Sequence, residues 1–349
     1  MRLLITADLH LSAKHPERQA ALAEVLRIGE DAAVDAVLIA GDLFDAGTDV
    51  DQLKTDIRDL FTGNSFRTYA IPGNHDQEAF RAEDYFGADI EVVSTRPFEQ
   101  IDLGPVHVLA MPFIEGHFSD YVDDLHAARE DDSVNVLMLH GTLSTTTGRV
   151  FGEESRYLPF TPEQLLETGA DYVFAGHIHS APTKRSYGDD ECVFAYPGSP
   201  ISVTTKETGR RGVWLFDTDE KTLREVVVES AYYVREPLEL SPGEADAELA
   251  DLASRLTDRD LDHATILVEP SGFIEMDVGQ FFEQLEAILE EASPAGYRIK
   301  RDELESAKTI IRSELYREFE RKLAEVDSGV DEQAVRRIAL QALSAEERG

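Results

Sequence analysis

Short apolar runs alternate with polar or helical stretches along the first 217 residues of the chain. Runs of this length that are rich in β-branched residues and bounded by turn residues predict β-strands. Between the first two runs, Pro16–Asp31 carries proline in its first turn and apolar residues at helical spacing, which predicts a helix. Strands that alternate with helices indicate a layered α/β domain. The predicted strands are Arg2–Asp8, Ala36–Asp42, Arg67–Asn74, His107–Phe113, Asn135–Gly141, Tyr172–Gly176, Cys192–Gly198 and Gly212–Asp217.

The pattern changes after Asp217. Residues 224–240 are rich in β-formers and end at a Ser-Pro-Gly turn. From Asp302 the pattern is helical to the end of the chain, with a break at 327–329. We therefore predict a first domain over 1–225, a small α/β domain over 226–301 and a helical tail over 302–349. The small domain is built from a predicted helix, strand, helix and strand at Glu244–Leu256, Thr265–Glu269, Val278–Ala292 and Tyr297–Lys300.

Apolar residues recur every three or four positions in the tail, which places them on one helical face. Two interpretations stay open, because a helix that packs on its own domain and a helix that docks a partner share this periodicity. The positions are Leu304, Ala307, Ile311, Leu315, Phe319 and Leu323, followed by Val335, Ile338, Ala339 and Ala342.

Composition adds a strong acidic excess to this picture. The chain has 69 Asp and Glu against 33 Lys and Arg, a formal net charge of −36, and only 8 of the 33 are lysines. Such a surface argues against simple electrostatic binding of nucleic acid. The excess runs along the whole chain, so we favour a halophile-like, salt-adapted protein over an acidic mesophilic one. Hydrophobic residues make up 42%, enough for a sizeable core.

Cysteine usage and hydropathy indicate a cytoplasmic protein. Cys192 is the one cysteine, so the sequence excludes an intrachain disulfide and a thiolate metal cluster, as expected in a reducing compartment. No apolar run approaches the roughly 20 residues of a membrane span, so we expect no membrane association. The apolar run at the N-terminus is too short for a signal peptide.

Residues of the kind that bind metals follow almost every predicted strand of the first domain. In layered α/β proteins the carboxyl ends of strands form the binding crevice, so these residues are expected to converge there. A lone histidine on an apolar strand is usually a packed core residue, with roughly one chance in five of binding a metal. Five such features in a fixed order favour a site instead. They are Asp8 with His10, Asp42, Asn74 with His75 and Asp76, His140, and His177 with His179.

The chemistry of these donors favours particular metals. Carboxylates, one amide and imidazoles without sulfur favour Mn, Fe or Zn over soft metals, and over Ca or Mg alone. Residues two apart on an extended strand point to the same side, so the side chains of Asp8-x-His10 and of His177-x-His179 are each expected to reach one cluster of ions. Seven donors exceed the needs of one tetrahedral ion and suit two ions about 3.5–4 Å apart. The other histidines are interpreted as surface or core residues: His15, His107, His117, His126 and His263.

In this order the motifs resemble those of the calcineurin-like metallophosphoesterases over residues 1–217. Within that superfamily the chain looks like the SbcD-type DNA-repair exonucleases. The resemblance implies a four-layer sandwich of two β-sheets flanked by helices, with a small cap domain. The segments that carry it are Thr6–Leu11, Gly41–Asp45, Ile71–Asp76, Tyr196–Pro200 and Gly212–Phe216.

The resemblance also implies roles for the individual residues. One of two divalent ions, expected to be Mn²⁺, would be held by a first group of donors, and the other by a second group that shares Asp42. His75 resembles the histidine that assists the leaving group without binding metal, and Asp76 resembles its orienting partner. The first group is Asp8, His10, Asp42 and His179, and the second is Asp42, Asn74, His140 and His177.

The activity implied is that of a DNA exonuclease or endonuclease of double-strand-break repair. Its partner would be an SMC-like coiled-coil ATPase, bound through the C-terminal part, and a homodimer is a further implied assembly. The alternative enzyme is a phosphodiesterase for small substrates such as cyclic or dinucleotides. A scaffold with an inactive site is a third interpretation, which the complete donor set disfavours. One departure from the nuclease branch is that Ile201–Arg211 lacks its usual Glu-Arg and Phe-Gly-Glu-like run.

Basic residues cluster in loops near the motifs. They are open to two interpretations, ordinary solvated charge or a track for a phosphate backbone. The stronger candidates are Lys184, Arg185, Lys206, Arg210 and Arg211, and the weaker ones are Arg149 and Arg156.

Overall fold

The computed structural model describes residues 1–80, 85–144, 157–257, 259–325 and 332–348. Arg149, Arg156 and the predicted break at 327–329 lie outside the described residues. The chain divides into two compact units, Met1–Tyr232 and Tyr233–Gly349. The predicted boundary after residue 225 falls inside a strand of the first unit, and the predicted boundary after 301 falls inside the second unit.

Eight strands of the first unit overlap the eight predicted apolar runs, and six further described strands lie outside those runs. In chain order, all of these strands are β1 (Arg2–Thr6), β2 (Ala36–Ala40), β3 (Arg67–Ile71), β4 (Ile90–Val92), β5 (Glu99–Asp102), β6 (Val106–Met111), β7 (Val134–His140), β8 (Thr142–Leu143), β9 (Pro159–Phe160), β10 (Tyr172–Gly176), β11 (Thr183–Tyr187), β12 (Cys192–Tyr196), β13 (Arg211–Asp217) and β14 (Thr222–Val228).

Local sequence signals mark where helices of this unit begin and end. The last of them begins at a capping box, in which Thr161 and Gln164 exchange side-chain and backbone hydrogen bonds. It ends at Gly169, whose φ of 70° closes the turn. The helices are α1 (Pro16–Asp31), α2 (Gly47–Leu60), α3 (Val122–Ala127) and α4 (Pro162–Thr168), with a 3₁₀ turn at Phe118–Asp120.

Two six-stranded sheets form the frame of the described part of this unit. The first has the order β14-β13-β1-β2-β3-β4, and β1 to β4 run parallel. The second has the order β11-β12-β10-β7-β6-β5, with β6, β7, β10 and β12 parallel and antiparallel strands at both edges. Parallel strands that share a direction present their carboxyl ends at one edge, which is where the candidate donors follow.

Three layers of apolar side chains separate the two sheets and their helices. Leu4 on β1 faces α1 and α2, whereas its neighbours Leu3 and Ile5 face the second sheet. On the outer face of the second sheet, Leu137 packs with residues of α3 and α4. Both faces of the central parallel strands are therefore buried, as parallel sheets require. This arrangement confirms the predicted four-layer α/β sandwich.

The second unit contains a four-stranded sheet with the order β15-β16-β17, in which β18 pairs with the far end of β16. None of its described helices, nor any in the first unit, is both long and apolar enough to span a membrane. The elements are β15 (Tyr232–Leu240), α5 (Ala245–Thr257), β16 (Ala264–Ile274), α6 (Val278–Ala292), β17 (Gly296–Ile299), β18 (Leu304–Ser306), α7 (Lys308–Arg312), α8 (Glu314–Leu323) and α9 (Glu332–Arg348).

The start of the predicted helical tail is wrong, because Leu304 lies in a strand. β18 pairs in parallel with residues 272–274 of β16, so its apolar residue fills a place in the sheet. The following helices pack on the same unit through a cluster of Phe273, Ala307, Ile310, Tyr316 and Leu340.

The buried face of α8 differs from the predicted apolar stripe. Tyr316 is 4% exposed, whereas its neighbour Leu315 on the predicted stripe is 58% exposed. Leu315 and Leu323 instead line a surface groove of about 410 Å³ together with Phe319. The tail therefore packs on its own unit and also leaves an apolar strip uncovered within the described residues.

Candidate metal centre

The predicted donors meet at the carboxyl ends of strands from both sheets. Loops after β1, β2 and β3 carry the donors of the first sheet, while His140 ends β7 and His177 follows β10. Neighbouring loops are joined by their backbones, since Asp8 N–H donates to Gly41 O and His10 N–H donates to Asp42 O, both at 3.0 Å. The sheet edge and these hydrogen bonds thus hold the donors in register.

Four donor residues have a left-handed backbone, which non-glycine residues rarely adopt. The φ angles of Asp8, His10, Asp42 and His177 are 54°, 47°, 51° and 101°. Such conformations cost about 1–3 kcal/mol each and persist where the surrounding structure enforces them. At Gly73 a Cβ atom would lie 2.1 Å from Asp42 Oδ1, so only glycine fits beside that carboxylate. Strain and close approach therefore concentrate at the site.

Three members of the first group of donors, Asp8, His10 and His179, have donor atoms that all lie within 4.8 Å of one another. The Nε2 atoms of His10 and His179 are 2.9 Å apart. Two imidazole nitrogens at this distance repel each other unless a proton or a cation lies between them. The geometry of this group therefore fits a shared cation.

A second group surrounds Asn74. Its Oδ1 atom lies 2.9 Å from His140 Nε2 and 3.1 Å from His177 Nδ1. Asp8, Asp42 and His140 form another set of donor atoms within 4.8 Å. The amide oxygen and the two ring nitrogens thus point at one place beside the first group.

Asp42 lies between the two groups. Its Oδ2 atom is 3.6 Å from His10 Nε2 and 3.4 Å from His140 Nε2. Its Oδ1 atom accepts a hydrogen bond from the backbone N–H of His75 at 2.9 Å. This is the position expected of a carboxylate shared by two ions.

Burial and charge at the site favour cations. Asp8, Asp42 and His140 are each at most 1% exposed. Burial alone would raise the pKa of Asp42, but His140 and His10 hold that pKa below its ordinary value. For His140 the signs are reversed: burial alone would lower its pKa, but the nearby Asp42 carboxylate raises that pKa to about 9. Asp42, with a smaller effect of Asp8, thus stabilises positive charge at His140, which divalent ions would supply.

His177 has the opposite shift. Burial and the neighbouring charge of His140 lower the pKa of His177 to about 3. Its ring therefore stays neutral at pH 7, which is the form that can donate a lone pair to a metal.

The side chains of His75 and Asp76 contact different groups, although the two residues are adjacent in the chain. The exposed ring of His75 packs edge-on against His10, and its Nδ1 atom lies 3.2 Å from Asp45 O. The carboxylate of Asp76 instead accepts from Gly73 N–H and Phe44 N–H, at 2.7 and 3.0 Å. The carbonyl of Asp45 therefore contacts the His75 ring, while Asp76 accepts from the backbone of two neighbouring turns, and the orienting role of Asp76 stays a prediction.

Sequence reasoning missed several residues that contact the donors. Glu207 lies 3.3 Å from His179 Nδ1, and Asp45 lies 3.2 Å from His10 Nδ1. Arg18 donates to His10 O at 2.6 Å. Asp45 is a second carboxylate within the Gly41–Asp45 motif, so its position near the donors could have been predicted from the sequence. Glu207 and Arg18 carry no local signal, since their contacts depend on the fold.

Several of the candidate basic residues contact other groups of the protein. Arg211 is 2% exposed and donates to the carbonyls of Ser199, His179 and Ser180, so its guanidinium is bound by the protein itself. Arg210 pairs with Glu229 at 3.2 Å. Lys184 Nζ donates to Leu223 O at 3.0 Å and lies above the Trp214 ring. Lys184, Arg185 and Lys206 are all exposed.

The fold and site together define a class of protein: a two-sheet α/β sandwich with a cluster of oxygen and nitrogen donors suited to two metal ions. The family model of the calcineurin-like phosphoesterases matches residues 1–181, and the chain belongs to that family. Dinuclear metal sites are characteristic of this family, and the groups described above are its candidate ligands here.

Two curated proteins are similar to the chain. The metallophosphoesterase YhaO of Bacillus subtilis is 30% identical over 198 residues, which cover 52% of this chain and 45% of YhaO. The DNA double-strand break repair protein Mre11 of Aeropyrum pernix is 30% identical over 227 residues, covering 58% and 54% of the two chains. The chain thus spans about half the length of each of these relatives. A solved archaeal phosphodiesterase is 16% identical, with a TM-score of 0.36 over 65% of this chain and 100% of its own.

Proposed function

We propose that the protein is a metal-dependent phosphodiesterase that uses two divalent ions, with Mn²⁺ as the preferred metal. The observation that carries this proposal is the position of Asp42, whose buried carboxylate lies between His10 of one group of donors and His140 of the other. One ion would be held by Asp8, His10, Asp42 and His179. The other would be held by Asp42, Asn74, His140 and His177. When bound, such ions activate water as a nucleophile and stabilise charge on phosphoryl oxygens.

The exposed ring of His75 is placed to handle the proton of the leaving group. A carbonyl oxygen only accepts hydrogen bonds, so the contact with Asp45 O assigns a proton to Nδ1 of His75. The protonated ring carries a second proton on Nε2, which it can donate to a departing alkoxide. The bond from His75 N–H to Asp42 Oδ1 ties this residue to the shared carboxylate. His75 would thus deliver its proton beside the reacting phosphate.

DNA ends are the substrate that the motifs favour. Thr6–Leu11, Gly41–Asp45 and Ile71–Asp76 resemble the SbcD-type branch, and the similarity to Mre11 supports the same assignment. The protein would then be a cytoplasmic nuclease that works with an SMC-like coiled-coil ATPase. A homodimer is part of this proposal.

A second candidate is a phosphodiesterase for small substrates such as cyclic or dinucleotides. The engagement of Arg210, Arg211 and Lys184 by groups of the protein itself favours it, because these cations were candidates for binding a phosphate backbone. The net charge of −36 points in the same direction.

The first test is metal dependence and substrate choice. We expect hydrolysis of phosphodiesters to stop after chelation and to return best with Mn²⁺. Asp42→Asn should abolish turnover and lower the metal content, since Asp42 would serve both ions. Full turnover by a metal-stripped Asp42→Asn protein would contradict the two-ion proposal. Labelled linear duplex, single-stranded DNA and cyclic nucleotides, each with Mn²⁺, separate the two candidate substrates.

A further inference from the structure

Glu207 lies behind His179, on the side of the ring that faces away from His10. Its Oε1 atom is 3.3 Å from His179 Nδ1, and its side chain is only 9% exposed. A carboxylate oxygen accepts and cannot donate, so this contact assigns the proton of a neutral His179 ring to Nδ1. The lone pair then belongs to Nε2, the atom that faces His10 Nε2 at 2.9 Å. Glu207 thus selects the tautomer that can bind a metal.

The carboxylate of Glu207 is itself held in place by its own loop. Its Oε2 atom accepts from Val203 N–H at 2.8 Å. Its Oε1 atom accepts from Thr204 N–H and Thr204 Oγ1, at 3.1 and 3.0 Å. The hydroxyl of Ser202 donates to the carbonyl of Glu207 at 2.6 Å. Hydrogen bonds from the loop therefore fix both carboxylate oxygens independently of His179, so the carboxylate can hold the His179 ring in one orientation.

Two buried arginines connect this loop to the donor segments. Arg18 donates to His10 O at 2.6 Å and to Val203 O at 3.5 Å, so it connects the Glu207 loop to the donor loop after β1. Arg211 donates to the carbonyl of His179 at 2.8 Å. The backbones of both histidines are thus tied to the segment that carries Glu207.

We propose that Glu207 is a positioning residue that acts through His179. By fixing the tautomer and direction of the ring, it raises the affinity of the group Asp8, His10 and His179 for a divalent ion. This inference rests on the proposed metal centre. Loss of a partner that orients a metal-binding histidine typically lowers metal affinity by about 10–100-fold.

The test is a calorimetric titration of the full chain with Mn²⁺ alone. Glutamine at position 207 has one acceptor oxygen, which cannot serve both Val203 N–H and His179 Nδ1–H. We expect Glu207→Gln to weaken binding of one of two ions by about 10–100-fold. Glu229→Gln, which alters a more exposed glutamate paired with Arg210, should match the wild type. Two ions bound by Glu207→Gln with wild-type affinity would overturn the inference alone, whereas a wild type that binds no Mn²⁺ would overturn the proposed function as well.

Two further measurements separate positioning from loop stability. Thr204→Val removes one hydrogen bond to Glu207 and leaves the carboxylate, so it should lower the melting temperature without changing Mn²⁺ affinity. An equal loss of affinity in Thr204→Val would assign the effect to the loop and overturn the inference. Nitrogen-15 NMR of the chelator-treated wild type, above the pKa of His179, should show the proton on Nδ1. A proton on Nε2 would overturn the inference even if Glu207→Gln does not fold.

Discussion

His75 differs from the other histidines of the site because its ring is exposed and its Nδ1 atom contacts a backbone carbonyl. The rings of His10 and His140 are buried among carboxylates instead. A buried imidazole next to carboxylates is suited to hold a metal, whereas an exposed one can exchange protons with solvent and substrate. At the scale of single residues, environment therefore separates the proposed metal ligands from the proposed proton donor.

Replacement of His75 by alanine tests this separation. We expect His75→Ala to keep both ions and to lose turnover on dialkyl phosphodiesters by about 10²–10⁴-fold, the usual contribution of a general acid. The loss should be smaller on bis-p-nitrophenyl phosphate, whose leaving group needs no proton. His117→Ala, at an exposed histidine of the same unit, is the matched control. Equal losses on both substrates would show that His75 has only a structural role.

At the scale of elements, helix α8 has a buried face and an exposed apolar strip at adjacent residues. Tyr316 packs in the cluster with Phe273 and Leu340, and Leu315 lines the groove. Periodicity cannot separate these two sides, because both residues belong to stripes with helical spacing. Packing against β16 decides which of them is core.

Charge substitutions on α8 separate its two sides. Tyr316→Asp should destabilise the second unit by about 3–5 kcal/mol, since it removes a buried ring and buries a charge. Leu315→Asp should leave the melting temperature of the chain unchanged because Leu315 is exposed. If the strip docks the proposed ATPase, Leu315→Asp should also abolish co-purification while hydrolysis of a model diester is unchanged. Unfolding of Leu315→Asp in a calorimetric scan would show that the strip is core.

For the whole molecule, the net charge of −36 sets the response to salt. Screening shortens the range of repulsion from about 10 Å at 0.1 M to about 3 Å at 1 M. We therefore expect added KCl to raise the melting temperature, by about 2–4 °C for each 1 kcal/mol of relieved repulsion. NaCl at equal ionic strength should act alike, since screening does not depend on the ion. A melting temperature that falls steadily up to molar KCl would contradict the salt-adapted interpretation.

Local signals in the sequence were sufficient for the α/β class, eight strands of the first unit and helices such as Pro16–Asp31 and Val278–Ala292. Each of these depends on near neighbours: alternation within a strand, a proline in a first turn, a turn residue at an end. The sequence also indicated the candidate donors from Asp8 to His179, because each lies at or just after the predicted end of a strand.

Only the tertiary structure decided which groups surround those donors. Glu207 contacts His179 across a loop with no local pattern, and the His140 ring contacts the carbonyl of Ala40, 100 residues away. Arginine is a residue type that often binds phosphate, yet the fold buries the side chain of Arg211 against backbone carbonyls. A sequence pattern records what a residue is and what lies near it along the chain. Contacts between distant segments follow instead from how the sheets and loops pack, so burial, hydrogen-bond partners and pKa appear only in the folded chain.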